Sequence, residues 1–236
     1  MRRRLLALLV LAAPAAAAAP AQAAKVDVLV VGRAGVVLRD AAPVRLRAAM
    51  VEVAGRRCRI AAATPLAALA RTPLKRRLKL RDFGGCSRRT RDASGLYLRG
   101  IGRQVERGRD GWVYKIGRRA PGTGAADPAS RLRGGGRLLW FWCRSGADGC
   151  QRTLELRPDA TQVTAGQALR FTVTAYDDDG GGVPAAGATV AFGGDQVQAD
   201  ANGVVTVTVP AGSATLSAVA VRPGMVRSFP VRVRVA

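Results

Sequence analysis

A chain of 236 residues without a single histidine lacks the base that activates Ser or Cys nucleophiles, and it lacks the commonest metal ligand. Hydrophobic residues make up 48% of it and aromatics only 5%, which allows packed cores of Val, Leu and Ala in two small domains behind an export signal. Net charge is +22, but residues 25–152 hold 29 basic and nine acidic residues while residues 153–236 hold six and seven, so only the first part projects a strong positive field.

Residues 1–24 read as a signal peptide. Arg2, Arg3 and Arg4 precede the apolar run Leu5 to Ala13, Pro14 breaks it, and Ala21-Gln22-Ala23 offers the small residues a signal peptidase reads. The apolar run is too short to span a bilayer, and no second one follows. The expected location is extracellular or at the cell surface, with no membrane span in the mature chain.

Lys25 to Gly32 alternates β-branched residues and predicts a strand, and Val36–Leu38, Val44–Leu46 and Met50–Val53 continue the pattern. Thr64-Pro65 opens a short helix with Leu66 and Leu69 on its buried stripe, and Pro73 limits its length. Leu78–Phe83 is a strand, Gly84-Gly85 turns the chain into Cys86, and a basic loop runs from Ser87 to Asp92. Leu96–Ile101, Gly111–Ile116 and Leu138–Cys143 are further strands, and residues 117–136 read as loop. Residues 144–153 form a junction. Beyond it, Leu154–Arg157, Ala168–Tyr176, Ala188–Phe192, Gly203–Val209, Thr215–Val221 and Phe229–Val235 are strands with regular turn signals between them, the pattern of a β-sandwich.

Four cysteines in an exported chain predict two disulfides, for which three pairings exist. Zinc would require closer pairs of ligands. Cys143 and Cys150 close a short Gly-containing loop, which leaves Cys58 for Cys86.

Three clusters are candidate sites. Trp112, Tyr114, Trp140 and Trp142 alternate along two strands and so share a face. That face is either an aromatic core or a stacking platform for a planar ligand, sugar or base; Val113, Leu139 and Phe141 on the opposite face could then form the core. Lys75, Arg76 and Arg77, with Lys79 and Arg81 beyond them, form one basic cluster, and Arg88 and Arg89, with Arg91, form another. They are either solvated charge or a polyanion site. Asp177-Asp178-Asp179 is either a solvated turn or a calcium loop; its spacing matches no known calcium loop, and no metal or cofactor is expected.

Residues 25–143 resemble the transcobalamin C-terminal-like domain family. The resemblance rests on the helix start Thr64-Pro65-Leu66-Ala67-Ala68-Leu69, on Gly111-Trp112-Val113-Tyr114-Lys115-Ile116-Gly117 beside the family's G-W-x-Y-x-V-N-G turn, and on Leu138-Leu139-Trp140-Phe141-Trp142. Arg118 and Gly134-Gly135-Gly136 depart from the family's pattern. The resemblance implies a β-grasp-like fold. In animal cobalamin carriers a related domain closes over the corrinoid, but most bacterial members have no assigned ligand, and corrinoid binding is not carried over.

Residues 154–236 resemble a bacterial immunoglobulin-like domain, through Val183-Pro184-Ala185-Ala186-Gly187-Ala188-Thr189-Val190 and the expected hairpin Asp200-Ala201-Asn202-Gly203-Val204. The resemblance implies a spacer or stalk.

The expected architecture is therefore mainly β. A β-grasp-like mixed domain with one short helix, residues 25–150, precedes an immunoglobulin-like β-sandwich, residues 154–236. The expected function is binding or adhesion rather than catalysis, with an acidic cell-envelope polymer or a small planar ligand as partner; export argues against nucleic acid. The alternatives are a purely structural secreted scaffold and an envelope-polymer hydrolase. The sequence sets no oligomeric state.

Overall fold

The structure is a computed structural model that describes residues 24–212 and 214–236, so the expected signal peptide lies outside the described residues. In chain order the first half contains β1 (Lys25–Val31), β2 (Val37–Arg45), β3 (Ala49–Val53), β4 (Arg56–Ile60), α1 (Pro65–Arg71), β5 (Leu78–Asp82), β6 (Leu96–Ile101), β7 (Gln104–Val105), β8 (Gly111–Ile116) and β9 (Arg137–Cys143). The second half contains β10 (Thr153–Pro158), β11 (Gln162–Val163), β12 (Ala168–Tyr176), β13 (Gly182–Pro184), β14 (Thr189–Phe192), β15 (Asp195–Gln198), β16 (Val204–Thr208), β17 (Ala214–Val221) and β18 (Val231–Val235). The chain is mainly β, with a single α-helix among the described residues.

The centre of the first half is a mixed sheet in the order β2-β1-β9-β8, with β1 and β9 parallel and the other pairs antiparallel. One face packs on α1, on the β3–β4 hairpin and on the three-stranded sheet β5-β6-β7. The helix forms where expected. Thr64 is extended and its hydroxyl accepts from the Ala67 amide at 3.3 Å, while Pro65 occupies the first turn. Leu66 and Leu69 are fully buried beneath the sheet.

The second half is a sandwich. β12 is central in one sheet, pairing with β10 on one edge and with β13 and β16 on the other; the facing sheet runs β11-β18-β17-β14-β15. Alternation along β12 sends Leu169, Phe171, Val173 and Ala175 inward against Val190, Phe192, Ala218 and Val233.

Two expectations change. Val36–Leu38 and Val44–Leu46 belong to one bulged strand, β2. The turn at Asn202-Gly203 does not close a hairpin: β15 pairs with β14 and β16 pairs with β12, so the chain crosses between sheets there. Gly203 is still required, with φ 73 and no room for a Cβ beside the Val173 carbonyl oxygen.

The second face of the mixed sheet is also buried. Leu29, Val31, Leu139, Phe141 and Cys143 pack on Val226, with Phe229 beside them, so the second half covers the sheet of the first. Every residue of β9 after Arg137 is consequently buried.

Candidate polyanion-binding site

The site grows from an arginine-rich strand. β3 and β4 are joined by the two-residue turn Ala54-Gly55, with φ 49 and φ 76, the geometry that matches the twist of a hairpin. Alternation in β4 turns Cys58 and Ile60 into the core and leaves Arg57 and Arg59 outside. From the other direction, the Asp82 carboxylate at the end of β5 folds the next turn back on itself. It accepts from the amides of Gly84 at 3.0 Å and Cys86 at 2.8 Å, and from the Arg56 guanidinium at 2.7 Å. Burial alone would raise the Asp82 pKa, but those two amides and Arg56 outweigh it, and the carboxyl lies below its ordinary value of 3.8.

The folded turn delivers Cys86 to Cys58, and the two form a disulfide with their Cα atoms 5.4 Å apart. The second disulfide joins Cys143 to Cys150, as expected, at a Cα separation of 5.2 Å. Past the first bridge, the Arg59 amide donates to the Ser87 carbonyl at 2.8 Å, so the basic loop lies along β4. The Ser87 hydroxyl fixes the loop by donating to Asp92 at 2.6 Å and accepting from the Arg89 amide at 2.9 Å.

Arg59, Arg88, Arg89 and Arg91, with Thr90, therefore border one open concavity. All four arginines are exposed. Among the described residues only Arg91 has a carboxylate within salt-bridge distance, Asp92 at 3.7 Å. Guanidinium groups present planar pairs of donors that match phosphate and carboxylate oxygens, and they keep their charge at any physiological pH. The lining offers positive charge and hydrogen-bond donors, and no carboxylate pair.

The expected basic residues separate into two places. Arg88 and Arg89 border the concavity. Lys75, Arg76 and Arg77 are exposed but precede the opposite end of β5, where Leu78 pairs with Ile101, whereas Asp82 and the basic loop lie at the Leu96 end. The strand between them is about 13 Å long. Arg76 instead lays its aliphatic stem over Gly102, where an added Cβ would sit 2.9 Å from Arg76 Cδ. Arg59 was not among the expected site residues; its place in the basic run Arg56-Arg57-Cys58-Arg59, beside a paired cysteine, was the available signal.

The aromatic platform is corrected. Trp112, Tyr114, Trp140 and Trp142 are between 1% and 8% exposed and belong to the main core of the first half. Trp112 and Trp142 meet edge to face with centroids 5.8 Å apart, and Tyr114 and Trp140 lie 5.1 Å apart. Trp112 Nε1 donates to the Gln104 carbonyl at 2.9 Å, and the Tyr114 hydroxyl donates to the Thr123 carbonyl at 2.8 Å. Arg33 covers the Trp142 ring at 3.9 Å. A stacking platform needs an open ring face, and these rings have none. Val113, Leu139 and Phe141 do form a core, but it is a second one against the other half of the chain.

The acidic turn holds a protein cation. Lys115 is fully buried on the second face of the mixed sheet, and its ammonium reaches Asp178 Oδ1 at 3.2 Å, the carbonyls of Asp177 and Tyr176 at 2.7 and 3.2 Å, and the Thr153 hydroxyl at 3.3 Å. Asp177 faces Arg152 at 3.6 Å and accepts from the Gly181 amide at 2.7 Å. Burial lowers the Lys115 pKa, and the opposing pull of Asp178 only partly offsets it. Next to it, Arg118 donates two hydrogen bonds to Glu155, at 2.6 and 3.1 Å. These pairs join the two halves of the chain.

Among the described residues no helix is long and apolar enough to cross a membrane. No family model matches the chain, and no curated protein matches it significantly.

Proposed function

We propose that this is an exported, non-enzymatic binding protein that holds an acidic cell-envelope polymer through Arg59, Arg88, Arg89 and Arg91. The first half serves as the binding module, in keeping with its resemblance to transcobalamin C-terminal-like domains, and the second half is an immunoglobulin-like spacer. One observation carries the reading: a disulfide and a dedicated hydrogen-bond network gather four exposed arginines around one concavity, and only one of them faces a carboxylate. Two disulfides fit an oxidising compartment. The absence of histidine argues against the common hydrolytic machineries.

Co-sedimentation of the purified protein with isolated envelope tests this. Saturable binding that weakens about tenfold between low and high salt is expected for exposed charge contacts. A purely structural scaffold predicts no saturable binding, and an enzyme predicts release of soluble polymer fragments.

A further inference from the structure

The outward face of β5 and β6 carries rings among its charges. Arg81 pairs directly with Tyr97 across the two strands, and Phe83 follows Arg81 on the same face. Phe83 is 67% exposed and Tyr97 39%, while Leu78, Leu80, Leu96 and Leu98 turn inward to the core. The two rings therefore contribute nothing to the buried cluster. They meet edge to face with centroids 6.3 Å apart, and the Arg81 guanidinium sits 4.6 Å from the centre of the Phe83 ring. Lys79 and Arg99 flank them, both exposed.

We propose that this face is a ring-stacking subsite, and that the polymer it takes is an acidic polysaccharide. The inference rests on the polyanion reading above and names the chemical class of its ligand. The rings supply apolar faces for the C–H side of a sugar, and Lys79 and Arg81 supply charge for its acid groups. Glu106 separates a sugar from a nucleotide. Its carboxylate accepts from Arg99 Nε at 3.0 Å and faces the Tyr97 hydroxyl, whose pKa is raised by partial burial and, after that, by this carboxylate. That carboxylate, its charge offset by Arg99, still accepts hydrogen bonds from the hydroxyls that every residue of a polysaccharide carries and that the chain of an oligothymidylate lacks. Phe83 lies five residues before Arg88, at most about 18 Å of chain, so one polymer can reach both this face and the arginine concavity.

The test compares three probes on the purified protein: polygalacturonate, linear polyphosphate, which has charge and no rings, and oligothymidylate. Polygalacturonate and polyphosphate should both bind, and polygalacturonate should bind more tightly than oligothymidylate. Phe83→Ala should weaken polygalacturonate binding about tenfold, while polyphosphate binding stays within about twofold and the melting temperature is unchanged. Phe83→Trp should restore polygalacturonate binding. Polyphosphate binding with no effect of Phe83→Ala on polygalacturonate would overturn the subsite alone. Equal losses on both polyanions would overturn it too, and tighter binding of oligothymidylate would overturn the polysaccharide assignment. Failure of both polyanions to bind would remove the polyanion reading, and this inference with it.

Discussion

Arg59 and Arg88 border the same concavity because each lies within two residues of a cysteine of one disulfide, Cys58–Cys86. The bridge is thus part of the site as well as part of the fold. Removing it by Cys58→Ser with Cys86→Ser should cost about 3.5 kcal/mol on the chain-entropy account of a loop of this size. It should also weaken polyanion binding at temperatures where the protein is still folded. Chemical denaturation and a binding titration on the same sample check both; an unchanged affinity would show that the basic loop holds its position without the bridge.

The buried aromatic face makes a separate prediction. Trp140→Ala should destabilise the protein by about 3–5 kcal/mol, the usual range for emptying a large core site. Trp140 is 1% exposed and packs on Tyr114. Urea unfolding curves measure the change. A soluble, equally stable variant that had lost only a binding activity would restore the platform reading.

Lys115 and Asp178 lock the two halves together. Lys115→Met leaves the Asp178 carboxylate and two carbonyls facing an apolar side chain, and should cost about 3 kcal/mol. Lys115→Met with Asp178→Leu should recover part of that loss, because a matched apolar pair replaces a buried charged one. The pH dependence follows from the lowered Lys115 pKa. Between the folded value and the ordinary 10.5 the unfolded chain binds more protons, so stability should rise with pH across that window. The rise should vanish in Lys115→Met.

At the acid end the sign is the same, with stability again rising with pH. Asp82 and Glu155 both have folded pKa values below their ordinary 3.8 and 4.5; in each, burial is outweighed, by amides and Arg56 at Asp82 and by Arg118 at Glu155. Their stabilisation is complete above the ordinary values and is lost as pH falls through the lower folded ones. Melting temperatures recorded from pH 6 downward should fall below about pH 4, and less steeply in Glu155→Gln.

Much of the fold was legible where local pattern and burial agree. β12 alternates cleanly because one of its faces meets the sandwich core and the other meets solvent. The helix start was legible from Thr64-Pro65, because capping is a local matter. β9 misled because both its faces are buried, one within its own half and one against Val226 and Phe229, a contact that depends on how two halves pack and not on any local spacing. β4 was missed because Arg56-Arg57-Cys58-Arg59-Ile60 reads as polar, and its turn, Ala54-Gly55, lacks the usual Asn-Gly signal. The site was half legible. Arg88 and Arg89 stood out as a run, but Arg59 joins them only through the disulfide, and Lys75 to Arg77 fell away to the other end of β5.

The most direct measurement of the central claim is a titration of the purified protein with linear polyphosphate at several salt concentrations, for the native chain and for Arg59→Ser with Arg88→Ser and Arg89→Ser. All three side chains are exposed, so the variant should fold as stably as the native protein. The account predicts a loss of affinity of at least about tenfold and a shallower salt dependence in the variant. Equal affinity and an equal salt slope in the two proteins would contradict it.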